Sequence, residues 1–209
     1  MTFFTTRRAA MIGLALAVAP IQAFAALAPT DQAMVDKAVA YLQSMKSVKG
    51  RFVQTDARGS VSRGAIYLQR PGKARFAYDP PSGLTVVSDG SRVSVADKRL
   101  KTFNQYPVSS TPLALLLARE VRLDRGVQVT NVTRLADGFT LTARDARKQT
   151  RGQITLTFTD APVRLVSWTV TDAQGGTTRV QLSDLQTASI DPGLFVMKDP
   201  RPRGGARPM

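Results

Sequence analysis

The sequence contains no histidine and no cysteine. Those two absences exclude Ser-His-Asp and Cys-His nucleophilic catalysis, histidine-bound zinc, thiol redox chemistry and a disulfide scaffold. Acid is scarce as well. There are 15 carboxylates, and Glu120 is the one glutamate among them. No two acids stand at a spacing that suggests a general acid–base pair, so the chain reads as a non-enzyme that needs neither cofactor nor metal. Long apolar runs are also missing. The longest, Ala9 to Val18, is too short to cross a bilayer. Basic residues number 29, yet they stand singly or in pairs, with no block of five or more. A nucleic-acid binder is therefore disfavoured even at a formal charge of +14, and a solvated cationic surface is the simpler reading.

What is present is an ordinary globular composition: 209 residues, 43% hydrophobic and 21% charged, enough for one domain with a real core. Arg7 and Arg8 precede the Ala9–Val18 run, and Ala23-Phe24-Ala25 closes it. A basic start, a short apolar middle and an Ala-x-Ala end make a secretory signal, residues 1–25, with cleavage after Ala28 as the second choice. The Thr6-Arg7-Arg8 triplet leaves general and twin-arginine export both open. Residues 26–199 then form a single domain outside the cytoplasm. Residues 200–209, rich in Pro, Gly and Arg, form a basic tail without expected structure.

Within that domain, Thr30-Asp31 can cap a helix running to about Lys46. Its stripe of Val35, Ala38, Val39, Leu42 and Met45 opposes Asp36, Lys37, Gln43 and Lys46. From Val48 the apolar period changes to two. About eleven short strands follow, separated by turn residues such as Asp89-Gly90, Asp137-Gly138 and Gly175-Gly176. In the strand near 164–171, simple alternation places Leu165 and Ser167 opposite Val166, Trp168 and Val170. One break interrupts the pattern: Thr111-Pro112-Leu113-Ala114-Leu115-Leu116-Leu117-Ala118 reads as a Thr-capped short helix, apolar nearly all round. Such a helix must be covered on most sides or cover something apolar itself. The fold class is thus mainly β: one antiparallel sheet curled toward a barrel, with two helical pieces.

A series of segments then converges on a family. Phe52-Val53-Gln54, the run Arg70-Pro71-Gly72-Lys73-Ala74-Arg75-Phe76-Ala77-Tyr78, Val87-Ser88-Asp89-Gly90, Tyr106-Pro107 with Thr111 to Leu116, and Asp191-Pro192-Gly193-Leu194-Phe195 occur in this order along the chain. Together they resemble the LolA family of periplasmic outer-membrane lipoprotein carriers. The resemblance implies a half-open, unclosed barrel of about eleven strands with an α-helical lid over a hydrophobic cavity. It also implies acylated lipoproteins as cargo, an inner-membrane lipoprotein-releasing ABC transporter as donor, and an outer-membrane acceptor where one exists. The carrier would be a monomer in the periplasm. By the motif, Arg70 is the lid switch, bonding backbone carbonyls of the lid helices, with those near Leu116 to Ala118 within its reach. Phe76, Tyr78, Leu42, Leu113, Leu116, Leu117, Phe158 and Trp168 form the acyl-chain cavity and lid. Ala74 stands where the motif often has a larger apolar residue that meets the transporter, so that contact is assigned to Ala74 and Phe76 together. A carrier of free lipids or glycolipids on the same fold is the alternative reading.

Overall fold

The computed structural model describes residues 27–111, 113–120, 127–146 and 152–199. The signal segment and the basic tail expected from sequence lie outside them. Helix α1, Pro29–Ser44, leads into six strands: β1 Ser47–Thr55, β2 Val61–Gln69, β3 Lys73–Tyr78, β4 Leu84–Asp89, β5 Arg92–Asp97 and β6 Thr102–Pro107. A 3-10 turn at Val108–Ser110 and the short helix α2, Leu113–Leu117, follow. Five more strands complete the sheet: β7 Val127–Leu135, β8 Gly138–Asp145, β9 Gln153–Asp160, β10 Val163–Thr171 and β11 Thr177–Thr187. Helix α1 starts two residues earlier than a Thr30 cap suggests. Pro29 takes the first turn, where a missing N–H costs nothing, and Ala28 precedes it without a side-chain cap. The Thr111 hydroxyl donates back to the Val108 carbonyl at 2.8 Å, closing the 3-10 turn before α2.

All eleven strands form one antiparallel sheet in the order β6-β5-β4-β3-β2-β1-β11-β10-β9-β8-β7. Two hairpin meanders, β1 to β6 and β7 to β11, are joined because β11 returns to pair with β1. The sheet's edges, β6 and β7, are therefore consecutive in the chain. The segment between them carries α2, whose Leu116 and Leu117 belong to the main core. Curvature is evident from the rings. Strands β3 and β10 are four strand spacings apart, about 19 Å in a flat sheet. Yet the Phe76 and Trp168 ring centroids are 6.1 Å apart. Register shifts at Lys49/Arg51, Val129/Asn131 and Leu165/Ser167 help the sheet to bend. The last of these corrects the simple alternation read for β10. A bulge at Val166 inserts one extra residue, so Leu165 and Trp168 share the concave face, opposite Phe158 and Leu156 on β9.

The core sits on that concave face. It is built from alternate residues of β1–β3 and β7–β11 together with Met34, Val35, Ala38, Leu42 and Met45 of α1, which packs across β10 and β7. Phe52 is its keystone on the β1 side. It opposes Gly64 on β2, where an added Cβ would lie 2.7 Å from the Phe52 ring, so the glycine makes room for the aromatic. A smaller apolar site lies on the convex side. There the 3-10 turn Pro192–Phe195 packs on β3 and β4, Phe195 is buried, and Arg75 donates to the Leu194 carbonyl at 3.0 Å.

Replacing Phe52 by alanine removes edge contacts to Phe76 at 5.5 Å and Tyr78 at 5.0 Å and leaves a cavity over Gly64. The expected loss is about 3–5 kcal/mol, seen as a lower urea midpoint at unchanged slope.

Candidate functional site

The concave face carries almost no polar side chain, because strand parity sends the charged residues of β1–β3 outward. Of the apolar positions singled out from sequence, Leu42, Leu116, Leu117, Phe76, Phe158 and Trp168 are all buried in one cluster, with Tyr78 packed against it. The side chain of Leu113 lies outside the described residues. Two aromatic groups divide the face. Phe52 touches Phe76 and Tyr78, and Phe76 touches Trp168; at the other end Phe158 stacks on Phe139 at 5.2 Å and meets the edge of Tyr41 at 6.2 Å. Sequence reasoning missed Phe52, Phe139 and Tyr41 as part of this face. The alternation of Phe139 with Leu141 and Ala143 directly after the Asp137-Gly138 turn was the signal for one of them. Ala74 and Phe76 point into the same core and present almost no surface to a partner while α1 and α2 are in place.

Both helices are held at one point. The end of α1 is delivered beside Arg70 because β1 begins immediately after it and Ser47 pairs with Gln69. The Arg70 amide donates to the Lys46 carbonyl at 2.8 Å. Its guanidinium then reaches both helices: Nη1 donates to the Leu42 carbonyl in the last turn of α1, and Nη2 to the Ala118 carbonyl just past α2. The resemblance places Arg70 on carbonyls of both helices, several of them near Leu116 to Ala118; here the fork is shared, one arm to each helix. Terminal helix carbonyls lack intrahelical partners and carry partial negative charge, so a cation suits both positions. Partial burial pulls Arg70 below the ordinary arginine value, though a guanidinium remains charged at any ordinary pH.

The turn that carries Arg70 is itself pinned. The Gly72 amide donates to the Leu117 carbonyl at 2.8 Å, and the buried Ser88 hydroxyl donates to the Gly72 carbonyl at 2.6 Å. Gly72 has φ +81, and a Cβ there would stand 2.6 Å from the Gly90 Cα, so the turn packs backbone to backbone on the β4–β5 hairpin. A second tie to α1 comes from the opposite side, where Lys37 Nζ meets Asp160 Oδ1 of the β9–β10 turn at 2.6 Å. Both partners are exposed, so that ion pair contributes at most about 1 kcal/mol. The charged hydrogen bonds of Arg70 are the stronger hold, about 1.5–3 kcal/mol each.

Tyr78 reports on the dryness of the face. Its hydroxyl donates to Gln54 Oε1 at 2.7 Å, and burial pushes its ionisation up to about 12. An unfolded tyrosine ionises near 10, so the native state binds the proton more tightly. Stability from this source is complete below pH 10 and is lost as pH rises from there through 12. Urea midpoints measured against pH should fall more steeply over that window in the wild type than in Tyr78→Phe, by about 2–3 kcal/mol at the upper end.

Comparison with known proteins supplies the family. The profile of the family described as outer membrane lipoprotein carrier protein LolA matches residues 43–198. The outer-membrane lipoprotein carrier protein of Bordetella pertussis is 30% identical over 207 residues, covering 93% of this chain and 95% of that one. An uncharacterized protein of Rickettsia prowazekii is 28% identical over 115 residues, 55% of this chain and 54% of its own length. Among solved structures, a DUF1329 family protein from Desulfovibrio piger shares the fold at 12% identity and a TM-score of 0.50, covering 79% of this chain and 97% of that one. With its open eleven-stranded sheet and a profile match over most of its length, the chain belongs to the LolA family of outer-membrane lipoprotein carrier proteins.

Proposed function

We propose that this protein is a periplasmic carrier that holds the acyl chains of lipoproteins on its concave face, and that α1 and α2 are a lid closed by Arg70. The observation that carries the reading is the shared fork: one cation ties the ends of both helices over a face that is otherwise apolar. Residues 1–25 act as the export signal, and the domain works as a monomer without covalent chemistry. Cargo enters from an inner-membrane ABC transporter and leaves to an acceptor at the outer membrane. Ala74 and Phe76 meet the transporter in the open form, when the helices no longer cover them.

The energetics favour such a device. Burying acyl chains recovers ~0.8 kcal/mol per CH₂, so three long chains amount to roughly 30 kcal/mol gross. A carrier that captured all of it would never release. Charging cargo binding with the loss of the Arg70 bonds, about 3–6 kcal/mol for two, lowers net affinity and gives closure a force of its own. The empty protein meanwhile hides its apolar surface from water.

Native mass spectrometry of protein purified from periplasm without detergent tests this. A fraction bearing the mass of a triacylated lipoprotein is expected. In Arg70→Leu the closed state is weakened, so that fraction should rise and release to outer-membrane vesicles should slow at least tenfold. Release at the wild-type rate would overturn the role of Arg70. Free phospholipid or glycolipid in place of lipoprotein would move the assignment to a free-lipid carrier.

A further inference from the structure

Cations on the sheet's outer surface are densest on four adjacent strands, β11, β1, β2 and β3. On β8, β9 and β10 the central outward positions are hydroxyls, Thr140 opposite Thr157 and Thr142 opposite Thr155, while Arg144 and Arg164 are exposed at the ends of β8 and β10 and Ser167 is buried. On β11, β1, β2 and β3 the outward positions instead carry Arg179, Lys49, Arg51, Arg63, Lys73 and Arg75. One carboxylate, Asp184, sits among those four strands, at the β1–β11 bulge.

Two of the six cations are engaged: Arg51 pairs with Asp79, and Arg75 donates to the Leu194 carbonyl. Lys73 stands opposite Asp89 in register. Lys49, Arg63 and Arg179 are exposed, and none is in a salt bridge among the described residues. Arg63 and Arg179 converge by register, since Arg63 opposes Val53 and Arg179 opposes Thr55 two positions along the same strand, and Lys49 stands further along β1, opposite Tyr67. Thr55 is flanked on its other side by Val61, an apolar residue 53% exposed. Beyond Asp199, three further arginines and no acid follow in the sequence.

We propose that this convex wall, centred on Lys49, Arg63 and Arg179 with Val61 between the strands, docks on an anionic phospholipid surface. Point cations spread over the outer face of a sheet match the diffuse charge of lipid headgroups. An exposed valine beside them suits the headgroup boundary rather than an aqueous acidic surface. The geometry turns the helices away from the bilayer, so docking concentrates the carrier at the membrane without offering its apolar face to the lipid. The inference is independent of acyl-chain binding.

Vesicle flotation of the full protein tests it, with phosphatidylcholine alone and with phosphatidylcholine containing phosphatidylglycerol. Wild type should float with the anionic vesicles at low salt, stay behind with the neutral ones, and detach as salt rises. At roughly fivefold per cation, K49Q/R63Q/R179Q should bind about 100-fold more weakly. Its urea midpoint and its binding of a fluorescent fatty acid in vesicle-free solution should match wild type. Equal flotation with both vesicle types, or wild-type affinity in the triple variant, would overturn the proposal. So would loss of binding on truncation after Asp199 with full binding in the triple variant, which would assign the effect to the tail.

Discussion

One guanidinium holds the two helices of this protein to its sheet, and much of the architecture serves to place it. Arg70 needs the end of α1 on one side and the end of α2 on the other. The first is guaranteed by the hairpin that starts immediately after α1. The second is guaranteed by chain topology, since α2 lies on the only connection between the sheet's two edges. The glycines at 72 and 90 let the turn sit directly on the neighbouring hairpin, so the fork projects from a rigid base. Arginine rather than lysine fits this task. A single ammonium on a flexible stem lacks the planar fork that meets two carbonyls from different helices at once.

The same arrangement resolves a conflict built into any carrier of apolar cargo. The face must be greasy enough to compete with a bilayer, yet it must not stay exposed. Here the lining and its cover are parts of one core: Leu42, Leu116 and Leu117 pack into the same cluster as Phe158 and Trp168. The helices are therefore held by apolar contacts with the sheet as well as by the Arg70 bonds. Backbone carbonyls, which any sequence supplies, provide the acceptors for the polar part.

Much of this was legible in the chain. Period-two alternation punctuated by Asp-Gly and Gly-Gly turns gave strand limits within a few residues, and the Leu42 stripe gave the buried side of α1. Three things were not legible, each for a physical reason. The β10 bulge is invisible because Val166 is as good a strand residue as its neighbours, and only the partner strand's register exposes the extra residue. The division of the Arg70 fork depends on where two helix ends meet in space. The convex-side packing of Phe195 rests on a contact between residues more than one hundred positions apart, anchored by Arg75 to Leu194, which local pattern cannot reveal. Phe52 stood in a quoted motif, but its weight came only from the empty space that Gly64 leaves for it.

The unpaired edges β6 and β7 have a mechanical meaning. In a closed barrel, any widening of the lumen must rupture a ladder of inter-strand hydrogen bonds somewhere around the ring. This sheet already contains its seam, and among the described residues no ladder crosses it. The wall can therefore spread or tighten as a sprung cuff does, by small changes of twist shared over ten strand pairs, while every one of those pairs stays intact. The load of such breathing falls on the strap that bridges the seam, and that strap is the segment carrying α2.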